Sequence, residues 1–368
     1  LSGKADGSEL AIQYKDIFVK TAKTTCTVDF KSVIGPGDSY DLPSFKTVYQ
    51  DWEVTGAFHH KNGLPWTCEV HSKSLPFKGL PGMLPRLKNT TIDGDGSLDL
   101  TFSQAAGTLP FKVNGKVLLK GIGVTLPQEP YLQNMTGPII VTDNVIKIPA
   151  MTFKSFDGTC VAGVTLNGNT LAYNYGFDLK NVSAQEAVNA SVDAYVTQNP
   201  GDYKDKLFGT MNLAYAGSGR GFSEAQMMAT ASGLGHYSID GAKVKGFAVI
   251  KTINNYLKDQ SDEMNFDQIT GNLVMKNKVF SYTANTTGKV GAIRETGSIN
   301  VADMVYAPDM KIQCDIKKEF LNSDALQNAL PSGIRGLIKN PDWIADDNGN
   351  VPLDAKFTGA VKDNHYSY

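Results

Sequence analysis

Residues 59–71 hold the side chains best suited to metal chemistry. His59, His60, Cys68 and His71 supply the imidazole and thiolate groups that zinc binds. Their spacing matches no established ligand pattern, and on an extended strand Cys68 and His71 point to opposite faces because side chains alternate. We therefore expect surface histidines here, with neither a metal site nor another cofactor.

Two glycine-rich stretches match ion-binding loops only in part. "DGDGSLD" places Asp93, Asp95 and Asp99 in the order of a calcium loop but lacks the glutamate at the loop's last position. A hairpin turn is the expected structure there. "GSGRG" at 217–221 is followed by no clear helical pattern, so a phosphate-binding role is not expected.

The chain carries none of the common hydrolase or nucleotide-binding motifs. The sequence has no GxxxxGK[ST], HExxH or GxSxG. Acidic residues are plentiful, but no pair of carboxylates is singled out by its setting. We therefore predict that the protein is not an enzyme. A carbohydrate-active β enzyme, which needs a carboxylate pair in a cleft, remains the enzymatic hypothesis.

The composition indicates a folded protein that does not bind nucleic acid. The chain of 368 residues is 41% hydrophobic, and its 35 basic and 37 acidic residues give a net charge of −2. Phosphate binding needs clustered Lys and Arg, and no such cluster occurs. Four cysteines, Cys26, Cys68, Cys160 and Cys314, lie far apart without a CxxC motif. They are too few for a disulfide framework, and one long-range pair in an oxidising compartment stays open.

The elements that position these residues are strands with one apolar face. Apolar residues alternate with polar or small ones in 171–179, and "GSLDLTF" and "LFGTMNLAY" repeat the alternation. This period-two pattern predicts antiparallel strands with one wetted face. Turn signals separate the strands: "IDGDGS", "VNGK", "LNGN", "KNK" and "DDNGN". A mainly β fold with short connections is therefore expected.

The sequence pattern of one strand pair occurs twice in the chain. "LQNMTGPIIVTDNVIKI" occupies 132–148, and "FDQITGNLVMKNKVFSY" occupies 266–282. Each copy has Thr-Gly, an apolar run, a polar pair and a second apolar run, which predicts two strands joined by a tight turn. The copies preserve size and polarity but no acid, base or metal ligand, so they indicate repeated architecture rather than repeated chemistry.

Helices are scarce, and three are predicted, at 183–196, 245–257 and 324–338. The first begins with a capping box formed by Ser183 and Glu186, and the third is interrupted by Pro331. Three short helices cannot cover the apolar faces of so many strands. The sheet must pack on another sheet, close on itself, or curl around an open apolar groove, and periodicity alone leaves all three open.

The order of elements after residue 120 resembles the AsmA family. "GLGHYSIDGAKVKGF" (233–247) precedes the strand pair at 265–282, and "GSINVADMVYAPDMKIQCDI" (297–316) and "VPLDAKFTGAV" (351–361) follow. The positions that match the family pattern are Gly235, Ile239, Gly241, Phe266, Ile269, Gly271, Gly297, Ile299, Pro352, Leu353, Phe357 and Gly359. The proline that usually follows the closing strand of the family is absent after Val361, and the family's N-terminal membrane helix would lie upstream of Leu1.

The resemblance implies a long, twisted antiparallel sheet that is curled into a taco-like apolar groove, with about three short helices. It also implies a periplasmic protein of a diderm bacterium, anchored in the inner membrane. Its implied role is phospholipid transport between the inner and outer membranes, or assembly of the outer membrane, with phospholipid or another acyl lipid and envelope proteins as partners. We expect residues 120–368 to form the groove region and residues 1–119 to form an N-terminal β segment.

Side chains on the apolar faces of the strands are the expected lipid-binding residues, since a groove shields acyl chains without fixed polar contacts. These groove candidates are Leu98, Leu100, Phe102, Ile139, Val141, Leu171, Tyr173, Tyr175, Phe177, Leu179, Met211, Leu213, Tyr215, Leu273 and Met275. The alternative function is a non-enzymatic envelope scaffold or adhesin, in which the same side chains would fill a closed β-sandwich core.

Overall fold

A computed structural model describes the chain apart from residues 15–17, 36–38, 62–64, 105–110, 126–131, 196–200, 202–203, 222, 247–253, 255–260, 289–290, 301–304, 307–310, 318–344, 359–364 and 368. Strands contain 72% of the described residues and pair antiparallel, and three helices accompany them, which confirms the predicted mainly β fold with antiparallel strands. None of the helices in the described part has the length and hydrophobicity that a membrane crossing requires.

The chain divides into two compact units. Unit 1 comprises Leu1–Ser155 and Thr159–Tyr175, and unit 2 comprises Phe156–Gly158 and Gly176–Tyr368. The predicted division at 119/120 concerns where the family likeness begins, and it stays a prediction.

The described strands of unit 1 pair mainly with their neighbours in the chain. They are β1 (Ser2–Asp6), β2 (Ile12–Tyr14), β3 (Phe18–Lys20), β4 (Cys26–Gly35), β5 (Ser39–Tyr49), β6 (Trp52–His60), β7 (Trp66–Pro76), β8 (Thr91–Gln104), β9 (Lys112–Thr125), β10 (Leu132–Thr142), β11 (Val145–Ser155) and β12 (Gly158–Asn167), with helix α1 (Leu80–Met83) after β7. The sheet runs from β1 through β4 and then strand by strand to β11, always antiparallel. β2 and β3 form a separate hairpin.

The described strands of unit 2 follow the same sequential plan. After β13 (Ala172–Ser183), which begins in unit 1, come α2 (Ala184–Tyr195), β14 (Leu207–Arg220), α3 (Glu224–Thr230), β15 (Ser232–Lys245), β16 (Glu263–Lys276), β17 (Val279–Thr287), β18 (Gly291–Asn300), β19 (Val305–Tyr306), β20 (Lys311–Lys317), β21 (Asn350–Thr358) and β22 (His365–Ser367). β14 to β18 pair in order, β18 pairs with β19 and β20, and β20 to β22 continue the sheet.

The repeated sequence forms a tight hairpin in both places. β10 and β11 are joined by Asp143 and Asn144, with φ of 47° and 67°, and β16 and β17 are joined by Asn277 and Lys278, with φ of 52° and 65°. Two consecutive residues with positive φ are the mark of the two-residue hairpin turn whose twist matches that of the strands. The prediction of two strands and a tight turn is confirmed for each copy.

Helix prediction is confirmed at one position. α2 follows Ser183, whose Oγ accepts a hydrogen bond from the backbone N–H of Glu186 (3.2 Å), as the capping box predicted. The prediction at 324–338 and most of that at 245–257 lie outside the described residues. α1 and α3 were not predicted. α3 begins three residues after "GSGRG", so the expectation that no helix follows this stretch was wrong, although seven residues are too few for an anion site.

Two of the predicted turns lie inside strands. "IDGDGS" falls within β8 and "VNGK" within β9, so the hairpin expected at Asp93–Asp99 was wrong. Gly94 and Gly115 have φ of 100° and 135°, and the register shifts between Asp93 and Asp95. A Cβ on Gly115 would lie 2.0 Å from the carbonyl oxygen of Asp99. Glycine here permits a bulge or a close strand approach rather than a chain reversal.

Candidate functional site on the apolar sheet faces

Cross-strand register places the groove candidates of β8 and β10 on one face of unit 1. Leu98 lies opposite Val117, which lies opposite Ile139. Leu100 and Val141 both lie opposite Gly115 on the intervening strand. Directly opposed residues in an antiparallel sheet share a face, so these side chains form a continuous surface, which we call the apolar face of unit 1.

Aromatic rings extend this face toward the C-terminal end of β8. Phe102 lies 6.2 Å from Phe111, Phe111 lies 6.5 Å from Trp66, and Trp66 lies 6.1 Å from Phe58, measured between ring centroids. The indole N–H of Trp66 donates to the Gln104 side chain at 2.6 Å. Of these residues only Phe102 was a predicted site residue. Phe58 and Trp66 could have been found from the alternation in β6 and β7, whereas Phe111 precedes β9.

The opposite face of unit 1 is charged. The His71 ring lies 2.9 Å from the Asp99 carboxylate, and Lys46 pairs with Glu53 at 2.7 Å. Cys68 lies opposite Phe102 on the apolar face, whereas His71 lies opposite Asp99. The prediction that these two possible zinc ligands point apart is therefore confirmed, and within the described residues no group of three potential ligands is close enough to hold a metal ion.

The groove candidates of unit 2 also share a face. Met211, Leu213 and Tyr215 lie opposite Ile239, Tyr237 and Gly235. The same row continues, because Gly235 lies opposite Leu273 and Gly233 lies opposite Met275. Phe177 stacks on Tyr215 with ring centroids 5.6 Å apart, and Leu179 shares the face of Phe177 by strand alternation. These residues define the apolar face of unit 2.

Three candidates in or before β13 belong to unit 1. The rings of Tyr173 and Tyr175 lie 6.2 Å apart, as expected for side chains on one face. Leu171 departs from the prediction: it precedes β13 in a turn, with φ of 59°, and its N–H donates to the Asn167 carbonyl. Its side-chain direction therefore does not follow from the strand alternation on which its assignment depended.

Tyrosines on the face of unit 2 lie over glycines of the adjacent strand. A Cβ on Gly235 would lie 2.6 Å from the Tyr215 ring, and one on Gly271 would lie 2.6 Å from the Tyr237 ring. The Tyr237 hydroxyl reaches across Gly271 and donates to the Thr283 carbonyl at 3.2 Å. Glycine leaves room for the flat ring, which in turn covers the glycine backbone. Each ring is thereby held against the sheet.

A carboxyl group lies among these apolar residues. Glu295 is opposite Ala284 in the sheet, and its side chain accepts a hydrogen bond from the Tyr282 hydroxyl at 2.5 Å. Burial raises the pKa of Glu295, and the Tyr282 hydrogen bond opposes the shift only in part. Burial and the charge of Glu295 raise the pKa of Tyr237 to about 12. The position of Glu295 on the apolar face could have been read from the sequence, since it alternates with Ile293, Gly297 and Ile299.

In each unit the buried apolar residues lie mainly at one end of the strands, which we call the covered end. In unit 2, Ala184 at the start of α2 packs with Ile239, Ala242 and Ile269 to form the buried core at the covered end. In unit 1 the buried apolar residues lie at the corresponding end of the strands: Leu75, Met83, Ile92, Ile122, Met151 and Cys160. Burial raises the pKa of the Cys160 thiol to about 11, which makes it unreactive.

The other strand end, called the open end, exposes large apolar side chains in both units, and Ile140 and Leu234 among them lie on the polar side of the sheet. In unit 1 these are Val33, Ile34, Tyr40, Phe111 and Ile140, and in unit 2 they are Met227, Met228, Leu234 and Val279. All fifteen groove candidates are half-buried, with none in the buried core and none fully exposed.

Two shallow depressions lie on the polar faces. One of about 760 Å³ in unit 1 is lined by charged residues that include Lys4, Asp29 and Lys46. One of about 550 Å³ in unit 2 is lined by polar residues that include His236 and Asn272. Charged and amide side chains interrupt the apolar part of both linings, whereas an acyl chain needs a continuous apolar surface, so the apolar faces are the stronger candidate for a lipid surface.

Comparison of the chain with protein-family models, with curated proteins and with solved structures finds no match in any of the three.

Proposed function

We propose that this protein is a non-enzymatic lipid-binding module whose apolar sheet faces shield acyl chains from water. In this proposal it is a member of the AsmA family that works in the periplasm, anchored to the inner membrane. It serves phospholipid transport to the outer membrane or the assembly of that membrane.

The observation that supports this proposal best is the burial of the fifteen groove candidates. A closed sandwich core would bury such residues almost completely, and a wetted face would not carry so many of them. They are half-buried instead. This favours a surface that accepts apolar ligands over the scaffold or adhesin with a closed core.

The energetics suit acyl chains in particular. Each methylene removed from water contributes about 0.8 kcal/mol, so shielding a sixteen-carbon chain is worth on the order of 12 kcal/mol. Rows of Leu, Val, Ile, Met and aromatic side chains supply this shielding without fixing the chain at one position. The two copies of the repeated hairpin then have a common purpose, which is to extend such a surface.

Paired substitutions on adjacent residues test the proposal. Leu100→Asp and Leu213→Asp place a carboxylate on the apolar faces, whereas Thr101→Asp and Asn212→Asp place it on the polar faces one position away. We expect the two leucine variants to weaken binding of a fluorescent phospholipid about tenfold or more, because a carboxylate would have to be desolvated against the chain. The polar-face variants should bind as the unmodified protein does.

The readouts are fluorescence titration and mass spectrometry of lipid retained by the purified protein. Equal binding by all four variants, or the absence of any retained or added lipid, would contradict the proposal and favour the scaffold.

A further inference from the structure

The open end of unit 2 carries an apolar patch on the side of the sheet that is otherwise polar. Leu234 is 68% exposed, and it lies opposite Ala216 on β14 and Val274 on β16. Val279 is 37% exposed and lies opposite Lys276 across the β16–β17 turn. The apolar side chains therefore continue across four adjacent strands, as far as the hairpin turn.

Helix α3 adds two large apolar side chains to this end. Met227 and Met228 are 43% and 37% exposed. The helix is fixed to the end of β14, because the Thr230 hydroxyl donates to the Arg220 carbonyl at 2.9 Å and the Ser223 side chain caps the helix N-terminus. The methionines are thus held at the strand end by a short, well-anchored element.

The charges around this patch are mostly positive. The segments 216–234 and 274–281 contain Arg220, Lys276 and Lys278 but one acidic residue, Glu224. Lys276 and Lys278 are exposed, and neither forms an ion pair within the described part of the chain. Exposed apolar side chains next to unpaired lysines are typical of surfaces that lie in the headgroup region of an anionic membrane.

We infer that the open end of unit 2 docks on an anionic lipid bilayer. Leu234, Val279 and the two methionines enter the boundary between headgroups and acyl chains, while Lys276 and Lys278 lie at the level of the phosphates. The charge of the surface selects the bilayer over an apolar protein partner, for which unpaired lysines would be a cost. This inference does not depend on acyl-chain binding by the apolar faces.

Flotation with vesicles tests the inference. The full chain is mixed with vesicles of phosphatidylcholine alone or of phosphatidylcholine with phosphatidylglycerol, at low and high salt. We expect binding only to the anionic vesicles, and weaker binding at high salt. The double variant Lys276→Gln and Lys278→Gln should bind about 25-fold more weakly, because each basic residue near an anionic surface is worth about fivefold. Leu234→Ser should also weaken binding.

Matched variants elsewhere serve as controls. Lys180→Gln with Lys245→Gln removes the same charge from the same unit but away from the patch, and Leu10→Ser replaces a leucine of similar exposure, 60%. Both should bind anionic vesicles within about twofold of the unmodified protein, since neither changes the patch. Equal loss in the controls, or equal binding to both vesicle types, would overturn the inference.

One further outcome assigns the patch differently. If vesicle binding is absent and Leu234→Ser converts an oligomer to a monomer by light scattering, the patch joins copies of this chain and the inference fails. A second measurement distinguishes failure of this inference from failure of the proposed function. It is the binding of a dispersed fluorescent phospholipid in the absence of vesicles. The docking variants should leave it unchanged, and the Leu213→Asp variant should lower it.

Discussion

The two apolar faces are built from the same strand pattern but are held in different ways. The described part of the face of unit 1 consists mainly of aliphatic side chains with Cys68 and Ser72 among them, and it carries an aromatic cluster at its open end. Its register rows carry no carboxylate. Both faces place an aromatic ring over a glycine, as Phe45 over Gly56 and Tyr237 over Gly271. Only in unit 2 does the ring also donate a hydrogen bond across the glycine, from Tyr237 to the Thr283 carbonyl, and the face of unit 2 includes Glu295. Alternation alone therefore sets which side is apolar. Residue-specific pairs such as Tyr237 with Gly271 set how firmly that side is fixed.

A second contrast runs along the strands and is common to both units. Most buried apolar residues lie at the covered end and most large exposed ones lie at the open end, with Leu10 and Ile12 as exposed exceptions near the covered end of unit 1. Stability and ligand binding are thus assigned to different parts of the same strand. The predictions below test this separation and the difference between the units.

The largest effect is expected at the covered end of unit 2. Ile239 is 3% exposed and packs under α2, so Ile239→Ala should lower the free energy of unfolding by about 3 kcal/mol. Leu273, on the next strand but nearer the open end, is half-buried, and Leu273→Ala should lower it by only about 1 kcal/mol. Urea denaturation measures both. Equal losses would contradict the separation of the two ends.

Close strand contacts should give the next largest effect, and a similar one in both units. A Cβ on Gly271 would lie 1.9 Å from the Thr283 carbonyl oxygen, and one on Gly56 would lie 2.0 Å from that of Glu69. Gly271→Ala and Gly56→Ala should each lower the free energy of unfolding by about 2 kcal/mol.

Gly82→Ala is the control for these two variants, because nothing lies within 4 Å of a Cβ there. It should leave stability unchanged or slightly raised, since alanine favours the helix. A loss only in unit 2 would mean that the tyrosine contacts of that unit, and not close strand approach, make glycine necessary.

The smallest effect concerns the carboxyl group that distinguishes unit 2. The folded-state pKa of Glu295 lies above its ordinary value of 4.5, so the folded protein binds this proton more tightly than the unfolded chain does. The free energy of unfolding should therefore fall as the pH rises from 4.5 through the folded-state pKa.

Glu295→Gln should abolish this fall and make the protein more stable than the unmodified one above that range, because an amide can still accept the Tyr282 hydrogen bond without a charge. Thermal unfolding across the pH range measures the difference. Glu69→Gln, on the polar face of unit 1, is the control and should leave the slope unchanged. A slope that persists in Glu295→Gln would show that another group titrates.

The sequence predicts the repeating architecture well because its signals are local. Asp143, Asn144 and Asn277 adopt the left-handed conformations that their residue types favour, and strand alternation places Leu98 and Leu213 correctly. Gly115 carried the same turn signal but lies inside β9, because only the neighbouring strand determines whether a glycine reverses the chain or permits a bulge.

Other features depend on contacts that no short segment encodes. The position of α2 over Ile239 and Ile269 brings together parts of the chain that are far apart in sequence. α3 had a readable signal, since Ser223 and Gln226 form a capping box, but its length of one to two turns gave no clear apolar period. Glu295 alternates with apolar residues along the sequence, but its hydrogen-bond partner Tyr282 becomes evident only from the register of β17 and β18.

Site-specific photocrosslinking tests the central claim most directly. A diazirine amino acid replaces Leu100 or Leu213 on the apolar faces, or Asp99 or Asn212 on the polar faces, and the protein is irradiated with a dispersed phospholipid. The account predicts lipid adducts at the two leucine positions and none above background at their polar neighbours. Adducts at all four positions, or only crosslinks within the protein at Leu100 and Leu213, would contradict it.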